Sequence, residues 1–131
     1  MLAPLATSAC AGTHAAGGRD AAVVRITERD FRIHMPGQIR AGEVRLVVTN
    51  HGPDQHELIV VRTASGELPL RSDGSTVNEE ALDPVTVGVL EPGAVGSVRE
   101  LDVDLRPGSY EVFCNMAGHY LGGMSAEFTV V

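Results

Sequence analysis

The C-terminal part of the chain contains three closely spaced residues that can bind a metal. Cys114, His119 and Met124 form a C-x4-H-x4-M pattern. A thiolate and a thioether are soft ligands, and an imidazole suits copper, zinc, iron and nickel. Three glycines inside the loop let it bend so that the side chains converge. The pattern predicts a metal-binding loop; the alternative is a buried Cys, a loop His and a core Met without a common role.

A second histidine is needed to complete one well-defined ligand set. Electron-transfer sites of the blue-copper type use one Cys, two His and a weakly bound Met. His56 lies where a run of apolar residues leaves the turn formed by residues 50–54, which places it at the mouth of a strand. His51 is the competitor, but it lies within the turn, where a side chain is less firmly directed. We therefore favour His56 as the missing ligand.

The elements around these residues are short strands. Apolar residues alternate with polar ones over 43–50 and 97–105, which is typical of half-buried strands. Residues 55–61 are apolar on both faces and indicate a central strand, and strand-like runs flank the metal-binding loop. With Gly/Pro turns between them, these runs predict an all-β fold, an antiparallel Greek-key β-sandwich of seven or eight strands. The loops 50–56 and 114–124 would meet at one end of it.

Residues 63–84 interrupt this pattern with a polar, acidic segment. Thr76 and Glu79 form a T-x-x-E capping box, which predicts a short helix near 77–82 that ends before Pro84. The segment is interpreted as a solvated loop, with a docking face for a cationic partner as the alternative.

The N-terminal segment differs in composition from the rest. Residues 1–22 resemble a bacterial lipoprotein signal followed by an Ala/Gly-rich linker, and residues 23–131 form the predicted domain. Small residues precede Cys10, a candidate lipidation site, although Thr7 replaces the usual Leu and no basic residue precedes the apolar stretch. We expect a periplasmic or extracellular protein, membrane-anchored if Cys10 is lipidated.

Charge and hydropathy exclude two other classes. The net charge of −7 disfavours nucleic-acid binding, which requires a basic surface. Apolar runs also fall well short of the ~20 residues that a membrane-spanning helix needs.

The two motifs together resemble the cupredoxins, the small blue copper proteins. Residues 49–56 resemble the strand, turn and first ligand His of that family, and the spacing in 114–124 is similar to that of its rusticyanin, auracyanin and sulfocyanin branch. The resemblance implies one type 1 copper ion held in a plane by His56, Cys114 and His119, with Met124 as the axial ligand. It also places Asn50 and Glu57 beside the ligands. Many family members have Asn where this chain has Glu57, and groups next to the ligands tune the reduction potential.

The function expected from the resemblance is transfer of single electrons between redox partner proteins by Cu(I)/Cu(II) cycling. A protein that stores or delivers copper is one alternative, and a metal-free interaction module of the same fold is another. The sequence contains no recognisable general base, activated nucleophile or substrate pocket. We therefore expect no catalysis by this domain alone.

Overall fold

The structure is a computed structural model that describes residues 20–64 and 66–131. The first nineteen residues, including Cys10, lie outside the described residues, so the lipidation site and the boundary at residue 22 stay predictions. The strands are β1 Ala22–Arg29, β2 Arg32–His34, β3 Gln38–Ile39, β4 Gly42–Asn50, β5 His56–Arg62, β6 Thr86–Gly93, β7 Val98–Leu105, β8 Gly108–Phe113 and β9 Ser125–Val130. A short helix, α1, spans Glu79–Leu82, and a 3₁₀ turn follows at Asp83–Val85.

The strands form two sheets, which confirms the predicted β-sandwich. The first sheet has the order β2-β1-β4-β7 and the second has the order β3-β9-β8-β5-β6. Strand β5 is hydrogen-bonded on both sides, to β6 and β8, as its continuous apolar run predicts. The connections β4–β5 and β8–β9 lie at the same end of the sandwich, because Ile59 pairs with Phe113 and both loops lie beyond that register.

The sheets differ from the expected antiparallel arrangement in two pairings. Strand β1 pairs in parallel with β4, and β3 pairs in parallel with β9, so both sheets are mixed. There are nine strands rather than seven or eight in the described residues. The additional element is β3, which has two residues. A strand this short contains too few residues for a period of two to be recognised.

The main core lies between the two sheets and follows the alternation in the sequence. Val44, Leu46 and Val48 of β4 are at most 1% exposed and face Leu58 and Val60 of β5 in one apolar cluster. At about 25 cal/mol per Å² of apolar surface, each such side chain contributes about 1.5–3 kcal/mol. This core makes the ends of β4 and β8 and the starts of β5 and β9 rigid supports for the two loops that connect them.

The segment between β5 and β6 has a core of its own, so it is not simply a solvated loop. Leu68, Val77 and Leu82 are at most 7% exposed and form a second apolar cluster with Ile59, Val61 and Phe113 from the outer face of the second sheet. In the sequence these three apolar residues are widely spaced among charged residues. The segment therefore looked polar throughout, and the cluster could not be recognised from the sequence.

The helix in this segment begins later than predicted. Its N-cap is Asn78, whose side chain accepts a hydrogen bond from the backbone N–H of Ala81. The predicted capping box is therefore wrong: the Thr76 hydroxyl instead donates to Asp73 at 2.6 Å. Asp73 also accepts from the backbone N–H groups of Ser75 and Thr76, so residues 73–76 form a local turn that precedes the helix.

No helix among the described residues is both long enough and apolar enough to cross a membrane.

Candidate metal centre

Cys114 and Met124 lie at the two ends of the β8–β9 loop. Cys114 directly follows β8 and Met124 directly precedes β9, and the backbone N–H of Cys114 donates to the Met124 carbonyl at 3.1 Å. Both side chains are fully buried in the main core cluster. The antiparallel pairing of β8 with β9 thus continues for one more residue pair and holds the two sulfur-bearing residues side by side.

His119 is turned inward by the fold of the loop between them. Its N–H donates to Met116 at 2.9 Å, and its carbonyl accepts from Met124 at 3.0 Å. Gly118 and Gly123 have φ angles of 80° and 103°, which a residue with a Cβ adopts only with strain. The result is that His119 Nδ1 lies 3.6 Å from Cys114 Sγ, with only 7% of the histidine exposed.

His56 approaches the same place from the start of β5 and is fully buried. Its ring centroid lies 5.3 Å from that of His119. The ring is held by Asn50, whose Oδ1 lies 2.8 Å from His56 Nδ1. Asn50 is itself fixed, because its Nδ2 donates to the carbonyls of Asp54 and Gly93.

Asp30 is part of this cluster and was missed in the sequence. Its Oδ1 lies 2.5 Å from His56 Nε2. Asp30, His56 and His119 each offer a ligand atom within 4.8 Å of the other two. Asp30 stands in the turn between β1 and β2, where Asp is common for conformational reasons alone. Nothing in the local sequence therefore distinguished it from an ordinary turn residue.

The remaining histidines of the domain lie elsewhere. His51 is exposed in the β4–β5 loop, where its backbone N–H donates to Glu28 at 2.8 Å. His34 is exposed at the end of β2. Neither ring is part of the cluster formed by His56 and His119.

Glu57 connects β5 to the loop that carries the cysteine. Its Oε1 accepts a hydrogen bond from the backbone N–H of Asn115 at 3.1 Å. Burial, together with the charge of Glu79, raises the pKa of Glu57. Asn115 in turn bonds both backbone groups of Val77 and the carboxylate of Glu79. The segment between β5 and β6 thereby braces the loop.

The electrostatics of the cluster favour a neutral thiol when no metal is bound. Burial, with a smaller effect from the charges of Glu57 and Glu28, raises the pKa of Cys114 to about 11, although backbone hydrogen bonds oppose this. A metal ligand must be deprotonated, so an ion that binds here must displace that proton. Asp30 behaves in the opposite way: partial burial raises its pKa, but hydrogen bonds to His56 and Asp54 outweigh burial and lower it.

The donor set suits copper. One buried thiol, two buried imidazoles and one buried thioether are brought to one end of the sandwich by two loops that the core holds in place. Soft sulfur donors together with imidazole are the combination that accommodates both Cu(I) and Cu(II). The same residues can also bind zinc, which takes Cys and His ligands.

Comparisons with known proteins were made by sequence and by structure. No protein-family model matches the chain, and no curated protein matches it by sequence. Three similar solved structures are reduced auracyanin from the photosynthetic bacterium Roseiflexus castenholzii, auracyanin B, and rusticyanin from Thiobacillus ferrooxidans.

Their similarity is structural and extends over most of each chain. The first is 15% identical with a TM-score of 0.61 and covers 87% of this chain and 99% of its own. Auracyanin B is 22% identical with a TM-score of 0.63, covering 85% and 89%. Rusticyanin is 15% identical with a TM-score of 0.60, covering 83% and 77%. With its two packed sheets and this agreement in structure, the chain has the cupredoxin fold.

Proposed function

We propose that this protein is a mononuclear type 1 copper protein that carries single electrons between redox partner proteins. The observation that carries the proposal is the convergence of Cys114 Sγ and His119 Nδ1, 3.6 Å apart, with the buried ring of His56 beside them. Rusticyanin, to which the fold is similar, is described as a copper protein. The copper ion would supply the one-electron couple.

Each residue has a distinct role in this proposal. His56, Cys114 and His119 would hold the ion, and Met124 would be a weakly bound ligand that tunes the potential. Asn50 fixes the orientation of the His56 ring, and Glu57 fixes the loop immediately after Cys114. Because these supports lie on strands β4 and β5 of the sandwich, the ligands would move little when an electron is gained or lost.

The surface over His119 suits a transient partner. The side chains of Phe31 and Leu121 are about half exposed, and the Phe31 ring meets the His119 ring edge-on at 5.2 Å. An apolar surface next to a candidate ligand allows a partner to contact the site without removing water from charged side chains. The exposed carboxylates of the β5–β6 segment would favour a partner with a cationic surface.

We also propose that the protein acts outside the cytoplasm, in the periplasm or beyond it, with Cys10 as the lipidation site of an anchor. The support is the lipoprotein-like run before Cys10. No step of the proposed function requires catalysis by this domain.

The experiment is addition of Cu(II) to the purified metal-free protein, followed by visible absorption and cyclic voltammetry. We expect one equivalent of copper, an intense blue colour that is absent in Cys114→Ser, and a reversible one-electron wave. A protein that binds Cu(I), releases it readily to a competing chelator and shows no reversible wave would be a copper-handling protein. Failure to bind copper would leave a metal-free interaction module.

A further inference from the structure

The turn that carries Asp30 is attached to the loop that precedes His56. The backbone N–H of Asp30 donates to Gly52 at 3.1 Å, and the N–H of His51 donates to Glu28 at 2.8 Å. The side chain of Asp30 is 15% exposed. The carboxylate is therefore held against the histidine ring by the backbone on both sides and is not a freely rotating surface group.

The hydrogen bonds of Asn50 determine which nitrogen of His56 carries the proton. Asn50 Nδ2 donates to two carbonyls, which makes Oδ1 the acceptor, and Oδ1 also receives the N–H of Gly52 at 2.7 Å. His56 Nδ1 must consequently donate to it. In the neutral ring, Nε2 then presents its lone pair to the Asp30 carboxylate.

This arrangement brings two electron-pair donors together and calls for a cation. His56 Nε2 and Asp30 Oδ1 are 2.5 Å apart, a distance at which two lone pairs repel unless a proton or a metal ion lies with them. Histidines that bind metals usually donate their other N–H to a fixed acceptor, which here is Asn50. A ring nitrogen of His119 completes the group within 4.8 Å.

We propose that Asp30 is itself a metal ligand, which with His56 and His119 gives this centre a second, oxygen-containing donor set for divalent ions. The inference rests on the proposed function only in that both place metal between the same two histidines. Zinc holds nitrogen and oxygen donors at about 2.0–2.2 Å in a tetrahedron, so atoms that share one ion lie about 3.3–3.6 Å apart. To reach that spacing, His56 Nε2 and Asp30 Oδ1 would separate from 2.5 Å, and the nitrogen of His119, now within 4.8 Å, would need only a small shift.

The two donor sets favour different ions. Carboxylate is a hard donor that favours divalent ions, whereas Cys114 and Met124 provide soft sulfur that favours Cu(I). Asp30 therefore contributes to the binding of Zn²⁺ and Cu(II) and contributes little to the binding of Cu(I). The centre distinguishes the two oxidation states of copper through a carboxylate on a turn outside the two ligand-bearing loops.

The test compares the affinities of the purified full-length protein for Zn²⁺ and for Cu(I), each measured by competition with a chromophoric chelator. In Asp30→Asn we expect a Zn²⁺ affinity lower by about tenfold to a hundredfold, with no measurable change in Cu(I) affinity. The matched control is Asp54→Asn, which removes the same charge 3.7 Å from His119 Nε2. Its loss of Zn²⁺ affinity should be clearly smaller.

Three results would overturn the proposal. Unchanged Zn²⁺ affinity in Asp30→Asn would remove Asp30 from the ligands. Equal losses for Zn²⁺ and Cu(I) would mean that Asp30 only positions His56. Equal losses of Zn²⁺ affinity in Asp30→Asn and Asp54→Asn would mean that the effect comes only from the lost negative charge.

A second measurement uses the wild-type protein and does not depend on the folding of a variant. The carboxyl ¹³C resonance of Asp30 should shift on addition of Zn²⁺, and a resonance that stays in place contradicts ligation. Neither measurement requires a blue copper form, so the proposed electron carrier and the role of Asp30 fail on different observations.

Discussion

Glu57 Oε1 accepts a hydrogen bond from the backbone N–H of Asn115 at 3.1 Å. Glu57 follows the candidate ligand His56 and Asn115 follows the candidate ligand Cys114, so this bond connects the neighbours of two candidate ligands. The resemblance to cupredoxins leads one to expect Asn at this position. A carboxylate supplies the same acceptor oxygen and so preserves the tether between β5 and the β8–β9 loop. It differs from an amide in carrying a negative charge beside the centre.

That difference predicts the effect of Glu57→Gln. The amide oxygen can still accept from Asn115, so the site should form, but the lost charge should raise the reduction potential because a negative charge favours Cu(II) over Cu(I). The measurement is cyclic voltammetry at pH 8. Glu43→Gln is the control, since it removes the same charge at the start of β4, the opposite end of the sandwich from Asn50. Equal reduction potentials for wild type and Glu57→Gln would contradict the assignment of Glu57 as a negative charge beside the metal centre.

Substitution of the candidate ligands should produce an ordered series. Cys114→Ser should abolish the blue colour, because the colour requires a thiolate on Cu(II). His56→Ala should leave a ligand position that water can take and give an ordinary tetragonal Cu(II) spectrum. Met124→Gln should remain blue with a lower potential, because a weakly bound thioether mainly tunes the balance toward Cu(I).

The controls for this series are the two exposed histidines. His51→Ala and His34→Ala should leave colour and potential nearly unchanged, since neither ring lies at the cluster. Visible absorption and electron paramagnetic resonance of copper-loaded proteins distinguish the outcomes. If His51→Ala bleaches the protein and His56→Ala does not, the upstream ligand is His51.

Glu28 should make the stability of the metal-free protein depend on pH. Burial raises the pKa of Glu28 from 4.5 to about 7, although the Arg99 guanidinium opposes this, and one carboxylate oxygen has no hydrogen-bond partner in the described structure. The folded protein therefore keeps this proton over a range in which the unfolded chain has lost it. The stabilisation is complete below pH 4.5 and is lost as pH rises to about 7.

At about 1.4 kcal/mol per pKa unit, this loss amounts to about 3 kcal/mol. Urea unfolding of wild type and Glu28→Gln at several pH values between 4 and 8 measures it. The difference between the two proteins should change across this interval, because glutamine does not titrate. Parallel curves for the two proteins would show that Glu28 does not titrate there.

Asn115 should be important for stability through Val77. Its Oδ1 accepts from the N–H of Val77 at 2.6 Å and its Nδ2 donates to the carbonyl of Val77 at 3.1 Å. Asn115→Ala leaves buried backbone groups unpaired, at a cost of about 1–3 kcal/mol each. Chemical denaturation should show a larger loss than in Asn78→Ala, which removes only the helix cap at about 1 kcal/mol. Equal losses of unfolding free energy in Asn115→Ala and Asn78→Ala would mean that water replaces the two hydrogen bonds between Asn115 and Val77.

The sequence by itself predicted the parts that depend on local pattern. The strands β4, β5 and β7 follow from a period of two or from a continuous apolar run, because a pleated strand points successive side chains to opposite faces. The group Cys114, His119 and Met124 is confined to one short loop, so its residue types and spacing were readable without the fold. His56 could be preferred because it begins a buried strand.

The tertiary structure decided what depends on residues far apart in the chain. Asp30 and His56 are brought together by the parallel pairing of β1 with β4, and a parallel pairing leaves no mark in either strand. Leu68 and Val77 looked like isolated apolar residues in a charged segment until the fold placed them on the outer face of β5. Local periodicity in the sequence indicates which face of a strand a side chain occupies. The partners of that side chain across the sandwich depend on the packing of the whole chain, so only the folded structure shows them.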